Sequence, residues 1–202
     1  MIVKIFTGPA DYRLDIYTKT EDEFVIGVDQ GAYLLAKNDV SFDLAVGDFD
    51  SVSSEELVHI RDYAKEVQSH NKMKDYTDTY LAVLEALKHH PSEIIIYGGI
   101  GGRFDHSFAN LNLLKFGNIT IITEDLKMYL RKPGTYQIKN DKKYISFFAL
   151  EHVSNMSLIG FKYELHDIEL KVFNPLCISN EGSGTLTFKE GLLLIMHQDE
   201  NK

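Results

Sequence analysis

The chain has 202 residues, 44% hydrophobic and 25% charged, which is enough apolar material for a sizeable core in one large domain or two small ones. A net charge of −9 without a basic run argues against nucleic acid as a partner, because binding a phosphate backbone needs clustered Lys and Arg. The single Cys177 excludes an intrachain disulfide, and with no signal-like start and no membrane-length apolar run, the expected location is cytoplasmic, away from any membrane.

In chain order, Ile2 to Phe6 reads as a strand ending at Thr7-Gly8-Pro9, with a short helix expected within Tyr12 to Tyr17. Phe24 to Val28 is a second strand, closed by Asp29-Gln30-Gly31 before a helix over Ala32 to Lys37. The next apolar run, Leu44 to Val46, ends in Gly47-Asp48-Phe49-Asp50-Ser51. Residues i and i+2 of an extended backbone point to one side, so Asp48 and Asp50 can converge on one point, as a hard cation such as Mg²⁺ requires. The plain alternative is a turn with two solvated carboxylates before a helix capped by Ser53 or Ser54. Leu57, Ile60 and Ala64 then recur at helical spacing. Lys74-Asp75-Tyr76-Thr77-Asp78 precedes a helix with an expected apolar face of Tyr80, Leu84 and Leu87, and places Asp75 and Asp78 on one side of its first turn.

Glu93 to Tyr97 is a buried strand running into Gly98-Gly99-Ile100-Gly101-Gly102-Arg103-Phe104-Asp105-His106. Four glycines in five positions let backbone approach a ligand closely, and the following helix (Phe104, Phe108, Leu111, Leu114) offers N–H groups to an anion. The run lacks the third glycine of the dinucleotide fingerprint, and no Walker-type motif occurs. Arg103 supplies a forked cation for phosphate, with Asp105 beside it; the alternative is that the two simply pair on the surface. After Ile119 to Thr123 and a short strand within Met128 to Leu130, Pro133-Gly134 marks a change to period-two alternation. Strands are expected at Tyr136 to Ile138, Tyr144 to Ala149, Met156 to Ile159, Ile168 to Phe173, Thr185 to Phe188 and Leu192 to His197. The expected fold is therefore an α/β N-terminal domain with a mostly parallel sheet (residues 1–131), followed by a small all-β sandwich domain (residues 132–202).

Asp29 in Val-Asp-Gln-Gly, the Gly47 to Ser51 stretch, Lys74 to Asp78, Gly98 to His106 and Ser179-Asn180, in that order, resemble the thiamine pyrophosphokinase family over nearly the whole chain. The resemblance implies transfer of a pyrophosphoryl group from ATP to the hydroxyethyl oxygen of thiamine, giving thiamine diphosphate and AMP. It makes Asp29, Asp48, Asp50 and Asp78 an acidic cluster for phosphate and metal, with Asp48, Asp50 and Asp78 as Mg²⁺ ligands. Lys74, Arg103 and Asp105, with Asp29, would contact or orient ATP. Arg103 and Asp105 join Asp48, Asp50 and Asp78 as catalytic residues, and Ser179 with Asn180 would line the thiamine site. The resemblance also implies a homodimer with sites between subunits. One departure is that Glu181 is followed by Gly182 and the chain has no Trp, so an aromatic face for thiamine must come from elsewhere. Alternatives are a related pyrophosphokinase for another hydroxyalkyl heterocycle such as a pterin, or a non-catalytic nucleotide- or thiamine-binding regulator.

Overall fold

Among the described residues the first half forms six parallel strands, five of them on apolar runs: β1 (Ile2–Phe6), β2 (Glu23–Val28), β3 (Phe42–Gly47), β4 (Ala64–Ser69), β5 (Glu93–Tyr97) and β6 (Ile119–Ile122), β4 being the polar one. In this computed structural model, which describes residues 1–9, 12–69 and 76–200, they lie in the order β4-β3-β2-β1-β5-β6. Among the described residues four α-helices lie between them: α1 (Gln30–Ala36), α2 (Ser54–Tyr63), α3 (Asp78–Lys88) and α4 (Phe104–Leu113). The predicted helix within Tyr12 to Tyr17 is a single 3₁₀ turn, Leu14–Ile16. The strands of β1, β2 and β5 are almost continuously buried, as expected where a parallel sheet is covered on both faces.

Three expectations are corrected here. The helical spacing read through Ala64 stops at Tyr63, and Ala64 starts β4, whose residues Ala64-Lys65-Glu66-Val67-Gln68-Ser69 are half-buried or exposed. β4 lies at the end of the strand order, where a strand needs no apolar run. Helix α3 buries Thr79, Ala82, Val83 and Ala86 rather than Tyr80, Leu84 and Leu87. Helix α4 buries Ser107, Asn110 and Leu113 and leaves Phe104 83% and Phe108 61% exposed, whereas Leu114 of the expected set is buried and Leu111 half-buried. The α2 cap is as expected: Ser53 Oγ accepts from the Glu56 N–H at 3.2 Å, and the Ser53 N–H donates to Glu56 Oε2 at 2.7 Å.

Lys4, within β1, is 1% exposed, and the cost of burying an ammonium is met by full pairing. It bonds Glu23 Oε2 at 2.7 Å and the Thr18 carbonyl. Burial alone would push Glu23 up, but hydrogen bonds from Lys4, Tyr17 and Thr20 outweigh it and hold the carboxyl down at about 2.

The chain separates into two compact units, residues 1–124 and 125–202. Among the described residues the regular elements of the second unit are all strands. Strands β7 (Leu126–Arg131), β9 (Tyr144–Ala149) and β13 (Leu193–Gln198) form an antiparallel group in the order β7-β13-β9. Strands β8 (Gly134–Ile138), β10 (Val153–Ile159), β11 (Leu165–Leu170) and β12 (Gly184–Phe188) form a second sheet in the order β11-β10-β12-β8. Alternate residues of both sheets, including Ile145, Phe147, Ile195, Met156, Leu158 and Leu186, share one buried core, giving the expected sandwich. Strand β11 ends at Leu170, earlier than the predicted Phe173, and Phe173 is fully exposed with φ of 62°. His197 is buried between Tyr129 Oη (3.0 Å) and Asn140 Oδ1 (2.9 Å).

Candidate active site

The order β4-β3-β2-β1-β5-β6 reverses direction between β1 and β5, and in open parallel sheets the crevice beyond the strand ends at such a reversal is where ligands bind. A cleft of about 280 Å³ lies there. It is lined by Thr7 to Pro9 after β1, Asp29 and Gln30 after β2, Thr77 to Thr79 at the start of α3, and Gly99, Gly101, Gly102 and Arg103 after β5.

Asp29 follows β2 with φ of 45°, so the backbone turns sharply and aims its side chain back towards β3. Its Oδ1 accepts the Phe49 N–H at 3.1 Å. Gly47 makes this approach possible, since a Cβ there would lie 1.9 Å from Asp29 Oδ1. Asp48 follows β3, and Asp78 opens α3 beside its cap, Thr77, whose side chain accepts from Tyr80 N at 3.2 Å. Carboxylate oxygens of Asp29, Asp48 and Asp78 all lie within 4.8 Å of one another. Burial, then repulsion from Asp78, Asp48 and Asp50 against the Phe49 bond, pushes the Asp29 carboxyl up to about 7. An all-carboxylate set this crowded fits a hard divalent cation, which would relieve that repulsion.

Of the sequence-predicted residues, Asp48 and Asp78 meet at this point together with Asp29, which was expected on the phosphate side of the cluster. Asp50 is exposed and its carboxylate is outside this group of three, while its backbone N–H donates to Asp48 Oδ1 at 3.1 Å. Arg103 lines the cleft and is paired with Asp105, Nη2 to Oδ2 at 2.6 Å and Nε to Oδ1 at 3.2 Å. That bond holds Asp105 below the usual carboxylate range. The pairing offered as the plain alternative is thus formed. Lys74 and Asp75 lie outside the described residues. In the second unit, Ser179 is exposed with φ of 58°, and its N–H donates to Ser146 Oγ at 3.0 Å. Asn180 is buried: its Oδ1 accepts the Tyr163 N–H at 2.9 Å and its Nδ2 donates to the Tyr163 carbonyl at 2.8 Å. Its amide therefore pins the turn at Tyr163, and its neighbour Ser179 is exposed.

The model for "Thiamin pyrophosphokinase, catalytic domain" matches residues 17–130, and that for "Thiamin pyrophosphokinase, vitamin B1 binding domain" matches residues 135–193. The chain belongs to the thiamine pyrophosphokinase family. A thiamine pyrophosphokinase of Bacillus subtilis is 34% identical over 205 residues, covering 96% of each chain. The crystal structure of thiamine pyrophosphokinase from Bacillus subtilis matches with a TM-score of 0.89 at 34% identity, covering 99% of both chains. That from Geobacillus thermodenitrificans matches at 0.88 and 33%, covering 100% of this chain and 99% of the other.

Thr7, Gln30, Thr79, His106 and Asn110 also line the cleft of this family member and were given no role from sequence, although Gln30 and His106 fall within the motifs quoted above. The signal available for Thr7 was its place at the carboxyl end of an apolar strand, the same signal that found Asp29. No helix among the described residues is long and apolar enough to cross a membrane.

Proposed function

We propose that the chain transfers the pyrophosphoryl group of ATP to the hydroxyethyl oxygen of thiamine, releasing AMP, with ATP held in the cleft between the ends of β1 and β5. The observation that carries this reading is the convergence of Asp29, Asp48 and Asp78 in a glycine-lined cleft, within a chain matching both family models. Mg²⁺ would be held by Asp48 and Asp78 with Asp29, and when bound it supplies charge neutralisation for the phosphates.

The chain's own groups then have separable tasks. Arg103 exchanges its bond to Asp105 for phosphate oxygens, which its planar fork meets two at a time. Asp105 orients that fork before ATP arrives, and the glycine loop brings backbone close to the anion. Lys74, known only from its place in the motif, adds a second cation. Ser179 contacts thiamine and Asn180 fixes the loop that carries it. In transfer, the bond from the β-phosphorus to AMP breaks as that to the thiamine oxygen forms, and an in-line geometry is the main demand on the site. The protein works as a homodimer in the cytoplasm; exposed apolar side chains such as Phe173 and Leu176 support the first, and the lone Cys177 the second.

The deciding experiment mixes the protein with ATP, Mg²⁺ and thiamine, and measures AMP and thiamine diphosphate. Asp48→Asn and EDTA should each remove most of the turnover, with the circular dichroism of the variant unchanged. AMP release only with a hydroxymethylpterin would favour the related pyrophosphokinase, and none with any acceptor would favour a regulator. A single species at monomer mass in sedimentation would overturn the homodimer.

A further inference from the structure

The loop after β5 places Gly98, Gly99, Gly101 and Gly102 at φ of 83°, 75°, 112° and 58°, a conformation glycine adopts freely and therefore also leaves freely. Holding it in one shape needs ties. Gly98 N–H donates to the Ile122 carbonyl at 2.9 Å and Gly99 N–H to the Gly8 carbonyl at 3.2 Å, which fixes the strand side of the loop. The ligand side is tied from α4. Asn110 Nδ2 donates to the Gly99 carbonyl at 2.7 Å, and Ser107 Oγ accepts the Gly101 N–H at 3.0 Å. The Ser107 hydroxyl also lies 3.1 Å from the Gly101 carbonyl and 3.2 Å from that of Arg103, and donates its one proton to either.

These two residues explain the unexpected orientation of α4. Ser107 and Asn110, three apart, share one helix face and are 8% and 5% exposed, while the phenylalanines at 104 and 108 face outward. Burying two polar side chains in place of two aromatic rings is unfavourable unless each bonds a group that would otherwise be unpaired, and the loop supplies those groups.

We infer that Ser107 and Asn110 are positioning residues that hold the glycine loop, and with it the base of Arg103, in the shape that receives the phosphates of ATP. The inference rests on the reading that this loop binds ATP. Ser107 does not line the cleft and acts through the loop alone, whereas Asn110 also lines the cleft, so Ser107 carries the decisive test.

The test uses the full chain as wild type, Ser107→Ala, Ser107→Thr and Asn110→Leu. Amide hydrogen exchange at Gly101 is followed by NMR without ligand, and KM for ATP, KM for thiamine and kcat are measured separately. Ser107→Ala should speed exchange at Gly101 and raise KM for ATP about five- to ten-fold, as for one or two lost hydrogen bonds, with KM for thiamine changed less than about two-fold. Ser107→Thr, which keeps the hydroxyl, should restore both values, and Asn110→Leu should move them as Ser107→Ala does. Unchanged exchange in Ser107→Ala overturns the inference, and so does faster exchange with an unchanged KM for ATP. Should Asn110→Leu fail to fold, Ser107→Ala decides alone. A wild type that releases no AMP would instead refute the functional reading, and the exchange result would still decide whether the clamp exists.

Discussion

Replacing Asp29 with Asn removes one negative charge from the crowded carboxyl end of β2 and leaves the side-chain shape and the acceptor for the Phe49 N–H in place. In the folded protein this carboxyl keeps its proton up to about pH 7, against an ordinary value of 3.8. The stability associated with the protonated form is therefore fully present below about 3.8 and is lost as pH rises through about 7. At about 1.4 kcal/mol for each pH unit, ionising Asp29 at pH 8 costs up to about 4 kcal/mol, and its contact with solvent in the cleft reduces the expected value to about 2 kcal/mol. Asp29→Asn should escape this cost. In urea denaturation with EDTA at pH 8, the variant should be more stable than wild type by about 2 kcal/mol, with the gap narrowing at pH 5. Millimolar Mg²⁺ should raise the wild-type midpoint at pH 8 and raise that of the variant less. A substitution that strengthens the fold while removing turnover is the signature of a site kept strained for function. An Asn variant no more stable than wild type at pH 8 in EDTA would refute the electrostatic account.

Arg103→Lys keeps the charge but not the fork, and should lower kcat/KM about ten-fold or more; a near-wild-type rate would return Arg103 to a purely surface pairing with Asp105. His197 is pushed down to about 4 by burial, then by Lys127 and Lys142 against Asp141. The unfolded chain takes up this proton first, near 6.5, so stability should fall as pH drops from about 6.5 to 4, and His197→Gln should flatten that slope in thermal melts. Lys4→Met leaves Glu23 buried without its cation and should cost about 3 to 5 kcal/mol in urea denaturation, whereas a loss below about 1 kcal/mol would mean that Tyr17 and Thr20 suffice.

What could be read from the sequence divides along physical lines. Strands β1, β5 and β9 fall where their apolar runs or alternation end, because both signals are local. The burial of Ser107 and Asn110 was not legible, since a search for apolar periodicity assigns the inner face of α4 to phenylalanines, and the competing demand comes from a loop several residues upstream. Asp29, Asp48 and Asp78 were each visible as carboxylates beside a strand end or a helix start. Their meeting at one point was not, because it depends on the sharp turn at Asp29 and on the space left by Gly47, both of which are three-dimensional facts.

The polar strand β4 closes one side of the parallel sheet, and an open strand edge is a row of backbone groups able to template another chain. An incoming strand would have to strip water from Lys65 and Glu66, and Lys65 is already drawn 2.7 Å from Asp43 on β3. Changing those positions to Val or Ile would produce a segment that any pattern search recognises as a strand, and one prone to fibril growth. The same polarity that conceals β4 in the sequence therefore acts as a gatekeeper against polymerisation along that rim.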